Sequence, residues 1–285
     1  MDVQSLRSAD RHLLAIYPDG ASINVVEQEA KYHIGISKSR TPSYPCGDVV
    51  EESNLVVVSN YDGELTACEL GTGTRLWMRQ LETPVTRVEI IPSLGLVVAG
   101  DDTNLVFVNA IDGSTSKPTF GRDSYCFRRT RAGFVAALRR SYELNFYNGH
   151  GSSPIRMKNA PGLVRSVVEL PSRLYVEYRN KPGKLYAYLS KSGELERVIE
   201  FSAASIIYDA SNCSELGRGR VLCGGRESGL TSLWEVRDDG EIAPISDFRL
   251  GGGIWILHQR GEILVSLSGR ALEAATGRIL QEGWR

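Results

Sequence analysis

Apolar and polar residues alternate along this chain in short runs of strand length, and small-residue turns separate the runs. Leu55-Val56-Val57-Val58, the turn Tyr61-Asp62-Gly63 and the run Glu64 to Leu70 read as strand, hairpin, strand. After a Gly71-Thr72-Gly73 turn, Thr74 to Gln80 adds an outer strand, and Val85 to Ile91 opens the next unit. The same grammar recurs at Leu13 to Tyr17, Leu174 to Tyr178, Arg220 to Cys223 and Ile263 to Leu267.

The turns themselves are periodic. They fall at Gln28-Glu29-Ala30, Gly71-Thr72-Gly73, Ile111-Asp112-Gly113, Gly149-His150-Gly151, Lys191-Ser192-Gly193, Asp238-Asp239-Gly240 and Ala275-Thr276-Gly277. Their spacing lies around the ~40–45 residues of one four-stranded blade. The pattern predicts an all-β, seven-bladed propeller of four-stranded blades, with 1–285 as one domain and residues 1 to 8 supplying a strand of the first blade. A single blade buries neither face of its sheet alone, so neighbouring blades must cover each other.

Ala67-Cys68-Glu69-Leu70-Gly71-Thr72-Gly73-Thr74-Arg75-Leu76-Trp77 resembles the quinoprotein-like (PQQ-type) propeller repeat, with Ala, an acid, Thr-Gly and Trp at fixed offsets. Ala271 to Gly277 and Ala187 to Gly193 resemble it as well, the latter with Ser192 for Thr, and WD-type propellers are close structural neighbours of this pattern. Enzymes of the quinoprotein family imply a quinone, a calcium ion and a catalytic Asp. The matching residues Ala67, Thr72, Gly73 and Trp77 are those that build a blade, so the resemblance implies a fold without that family's active site. Trp77 is expected to be buried between blades.

Composition adds little beyond a sizeable core: 285 residues, 42% hydrophobic and 24% charged. Ser37 to Asp48 reads as a Ser/Pro-rich inter-blade loop. The start Met1-Asp2-Val3-Gln4 lacks an apolar run, and no stretch approaches the ~20 apolar residues that span a bilayer, so a cytoplasmic protein is expected.

No constellation of catalytic residues emerges. The five cysteines are scattered without C-x-x-C spacing, and His12, His33, His150 and His258 fall in different blades, which predicts neither disulfides nor a metal site. There is no G-x-S-x-G elbow. The expected inner strands, such as Val85 to Ile91, are mostly apolar, with Glu89, Glu169 and Asp209 at unmatched steps. No catalytic residue, metal or cofactor is assigned.

Charge is what stands out. Between Lys117 and Arg165 there are ten basic residues against Asp123 and Glu143, a net of 10 − 2 = +8 in a chain whose total is −1. In blade topology, the loops between blades and the turns between second and third strands share one face. Arg122, Arg139, Arg140, Lys158, Arg179, Lys181 and Lys184 then cluster on that face, with Asp62, Asp101 and Asp102 across it. Arg128, Arg129 and Arg131 are expected on the opposite face.

A polarised face suits a charged protein partner, because complementary potentials steer encounter and fix register. The expectation is a monomeric, non-enzymatic protein-binding scaffold for a partner with an acidic surface, such as a bacterial adaptor or a toxin-neutralising immunity protein. The alternatives are a channel-centred enzyme of lactonase or quinoprotein type, or a nucleic-acid-binding module, which the near-neutral total charge disfavours.

Overall fold

The computed structural model describes residues 5–8, 12–17, 20–25, 28–35, 45–101, 103–116, 124–130, 133–138, 143–147, 152–178, 180–181, 184–200, 205–213, 218–225, 230–249, 255–258, 263–266, 270–273 and 275–282. Among them, consecutive strands pair in order into seven four-stranded sheets. The first sheet is β1 (Ser5–Ser8), β2 (His12–Tyr17), β3 (Gly20–Val25) and β4 (Gln28–Gly35). The second is β5 (Cys46–Val50), β6 (Leu55–Ser59), β7 (Glu64–Glu69) and β8 (Arg75–Gln80). The third is β9 (Arg87–Ile91), β10 (Leu96–Gly100), β11 (Leu105–Asn109) and β12 (Thr115–Ser116). The fourth is β13 (Ser124–Arg129), β14 (Phe134–Leu138), β15 (Glu143–Tyr147) and β16 (Ser152–Arg156). The fifth is β17 (Val164–Glu169), β18 (Arg173–Tyr178), β19 (Lys184–Leu189) and β20 (Leu195–Glu200). The sixth is β21 (Ser205–Cys213), β22 (Arg218–Gly225), β23 (Leu230–Arg237) and β24 (Ile242–Arg249). The seventh is β25 (Trp255–His258), β26 (Ile263–Ser266), β27 (Arg270–Glu273) and β28 (Ile279–Glu282). The helical segment among the described residues is one 3-10 turn, Pro92–Leu94.

By contact the chain divides into two compact units, Met1–Phe134 with Tyr147–Gly151, and Val135–Phe146 with Ser152–Arg285. Within the first unit the opening strand of each sheet lies against the opening strand of the next: β1 against β5, β5 against β9, β9 against β13. Within the second, β17 meets β21 and β21 meets β25.

The run Leu55-Val56-Val57-Val58 shows why these sheets need neighbours. All four residues are buried, although alternate side chains on a strand point to opposite faces. Val56 and Val58 join Leu14, Ile16 and Ile34 of the first sheet in one core. Leu55 and Val57 join Val88, Ile90 and Val97 of the third sheet in another. A strand covered on both faces reads as a continuous apolar run, and this one does.

Two sequence boundaries move. Gln28-Glu29-Ala30 is the start of β4 and not a turn, because Gln28 already pairs with Val25 across the hairpin. The loop assigned to Ser37–Asp48 ends earlier, since Cys46, Gly47 and Asp48 pair with Ser59, Val58 and Val57. His12 and His33, expected in different blades, share the first sheet on β2 and β4, because the first repeat extends past the 28–30 segment. The Gly149-His150-Gly151 turn lies outside the described residues.

Candidate docking surface

Four hairpins between third and fourth strands share one geometry. The N–H of Gly73, Gly113, Gly193 and Gly277 donates to the carbonyl four residues back, on Glu69, Asn109, Leu189 and Glu273, at 2.8–3.0 Å. In two of them an internal acid completes the turn. Thr72 Oγ1 donates to Glu69 Oε2 at 2.6 Å, and Thr276 Oγ1 donates to Glu273 Oε2. That bond, helped by Arg278, holds the Glu273 carboxyl below its usual range. In the third sheet Asn109 Oδ1 accepts from the Ile111 N–H at 2.8 Å. The fifth sheet has Leu189 at this position, and among the described residues Ser192 Oγ accepts the Glu194 N–H at 3.3 Å.

Two of these hairpins, 110–113 and 190–193, meet the outer strand of the preceding sheet. Trp77, 7% exposed, lies on the 110–113 hairpin and donates from Nε1 to Ala110 O at 2.9 Å. A methyl at Gly113 would sit 2.8 Å from the indole, and the glycine's φ of +70° already excludes most side chains. Arg79 Nε closes the contact on Gly113 O at 2.8 Å. Four residues after its own turn, as Trp77 is, Ile155 takes the equivalent place against Gly193. Here the Lys158 N–H donates to Gly193 O at 2.9 Å. Beside this contact lies a cavity of about 660 Å³ lined by Arg156, Lys158, Asn159 and Lys191, with Ile155, Met157 and Ala160 as its apolar part.

The predicted surface residues are distributed as follows. Arg122, Arg139, Arg140, Arg179 and Asp102 lie outside the described residues. Lys181 is exposed in the turn between β18 and β19, and Lys184 begins β19, opposite Glu200, with which it forms an ion pair. Asp62 and Asp101 occupy the corresponding turns of the second and third sheets. The Asp101 carboxylate serves its own turn, Oδ1 accepting from Thr103 N, Thr103 Oγ1 and Asn104 N at 2.7–2.8 Å. Lys158 lies in the loop from β16 into the fifth sheet, where its Nζ pairs with Glu194 beside the 190–193 hairpin at 3.2 Å.

Arg128 and Arg129 end β13, and each pairs with an acid on another opening strand: Arg128 with Glu89 of β9 at 2.9 Å, Arg129 with Asp48 of β5 at 3.2 Å. Arg131 lies outside the described residues. Asp48 and Glu89 are both buried and stand third in β5 and β9. Asp48 Oδ2 also accepts the Ile90 N–H at 2.8 Å, while Arg129 Nη1 donates to the Ile90 carbonyl at 3.2 Å. Asp48 is the main reason the Arg129 guanidinium is held more firmly protonated than usual. Asp48 escaped sequence reading because it was assigned to a loop. The signal was its separation of 81 residues from Arg129, two repeat lengths, with Glu89 between.

No protein-family model and no curated protein sequence matches the chain. Solved structures do. The WD40 repeats of RRP9 superpose with a TM-score of 0.72 at 12% identity, covering 100% of this chain and 91% of that one. The Cps50 (Swd1) β-propeller domain of Myceliophteria thermophila gives 0.70 at 12%, covering 98% and 95%. The dihydro-heme d1 dehydrogenase NirN gives 0.62 at 13%, covering 95% and 72%. The fold is therefore an all-β propeller, as in these structures. Among the described residues, no helix is long and apolar enough to cross a membrane.

Proposed function

We propose that the chain is a non-enzymatic protein-binding scaffold, one seven-bladed domain that docks a partner with an acidic surface as a cytoplasmic monomer. The observation that carries this reading is the +8 segment from Lys117 to Arg165 within a repeat fold of otherwise acidic balance. WD40 neighbours support it, since propellers of that type commonly serve as interaction modules. The docking face comprises Arg122, Arg139, Arg140, Arg179 and Lys181, with Lys158 and Lys184 beside it and Asp62, Asp101 and Asp102 orienting the partner. An adaptor or a toxin-neutralising immunity protein fits such a surface.

A pull-down from the native host with wild type and with Arg139→Glu/Arg140→Glu tests it. Capture of a partner by the wild type alone, with unchanged melting temperature of the variant, supports this face; equal capture by both defeats it. The NirN likeness favours a channel-centred enzyme instead. Against that reading, Asp48 and Glu89 are already neutralised by Arg129 and Arg128.

A further inference from the structure

We propose that the cavity between the end of β16 and the 190–193 hairpin anchors an acidic side chain of a partner peptide. This inference rests on the scaffold reading and names one surface through which a partner is held. Three cationic side chains, Arg156, Lys158 and Lys191, line the cavity, and none of its described lining residues is acidic. Among the described residues, Arg156 and Lys191 have no ion-pair partner. Lys158 has Glu194, but both side chains are more than half exposed, 58% and 59%, so water competes for that pair and it exchanges at little cost.

The hairpin itself is short of an acceptor. Where the second and seventh sheets place Glu69 and Glu273 to receive the Thr72 and Thr276 hydroxyls, the fifth places Leu189. Lys191 stands where those hairpins carry Gly71 and Ala275. An internal carboxylate has been lost and a cation gained at one turn. A carboxylate arriving from outside restores the missing acceptor for the Ser192 hydroxyl and gives Arg156 and Lys191 a charge-assisted bond.

The floor favours an acidic residue flanked by an apolar one. Ile155 and Met157 provide the apolar contact. Beneath them, Tyr178 donates to Met157 Sδ at 3.4 Å and shares a 2.7 Å hydrogen bond with Tyr188, all three side chains being buried. A packed floor of this kind is in place before the peptide arrives, which lowers the ordering cost of binding.

The test is fluorescence anisotropy of a labelled peptide of alternating Glu and Leu against the full chain at low salt. Arg156→Glu/Lys191→Glu is expected to weaken binding by about tenfold or more. Leu189→Glu, which supplies the internal carboxylate, is expected to weaken it similarly without lowering the melting temperature, and Glu194→Ala to tighten it by freeing Lys158. Binding that survives both the double reversal and Leu189→Glu overturns the pocket. If Arg139→Glu/Arg140→Glu abolishes binding while the pocket variants do not, the pocket is wrong and the scaffold reading stands. Competition by inorganic phosphate at concentrations matching the peptide's overturns peptide recognition in favour of a simple anion site.

Discussion

The same junction is built twice in this molecule, once closed and once open. At the 110–113 hairpin, Trp77 fills the space between outer strand and turn, and Arg79 caps the Gly113 carbonyl. At the 190–193 hairpin, Ile155 stands in for the tryptophan and the Lys158 backbone for the arginine, and a cavity remains. Charge divides along the same line. Arg128 and Arg129 find buried acids on neighbouring strands, whereas Arg156 and Lys191 face solvent. A run of basic residues in sequence therefore carries two meanings, and only the acids opposite each one separate structural cations from available ones.

The sharpest way to break this comparison is to truncate both anchors. Trp77→Ala should cost ~3–5 kcal/mol of stability, a large-to-small core change that also strands the Ala110 carbonyl, while Ile155→Ala, half-wet already, should cost about 1 kcal/mol. Equal losses in denaturant melts would show that the two junctions bear equal loads. Next comes Asp48→Ala, expected to cost about 3 kcal/mol, because it leaves the Arg129 charge and the Ile90 N–H without their partner. Loss of less than the effect of a typical surface substitution would mean that water replaces the carboxylate.

Alkaline titration probes the dry layers on both sides of the comparison. Burial pushes the Tyr147 hydroxyl from 10.0 up to about 12 and raises Tyr178 and Tyr188 as well. The folded state thus holds these protons more tightly than the unfolded chain, so the stabilisation is complete below 10.0 and is lost as pH climbs through the folded-state values. Tyrosinate absorbance from these residues should lag behind that of exposed tyrosines and appear together with unfolding; early, reversible ionisation would contradict it. The smallest effect is expected from Lys158→Ala, under ~1 kcal/mol in the same denaturant melts, since its pair with Glu194 is exposed.

Much of the architecture was legible in sequence because turn chemistry and strand alternation are local. Gly73, Gly113, Gly193 and Gly277 mark hairpins that each require a positive φ, and Trp77 lies buried where its spacing from Gly73 places it. Gln28 misled because a strand that begins with polar residues resembles a turn. The site was less legible for a physical reason: ion pairing is set by what stands across a junction. Nothing near Arg129 in the chain announces Asp48, and nothing near Leu189 announces that the equivalent position elsewhere carries a glutamate; both became visible only when repeats were laid over one another.

The capping of Ile90 reaches into how the chain assembles. Its N–H and carbonyl belong to the edge of β9 away from β10, and one is met by Asp48 from the preceding sheet, the other by Arg129 from the following one. During synthesis the Ile90 carbonyl stays uncapped until the fourth sheet's first strand, which ends at Arg129, has followed the third sheet out. An unsealed strand edge is a template for pairing with another chain. A fragment ending before Ser124 should therefore self-associate more than residues 1–285 do, and the two charged side chains act as a lock turned late in folding.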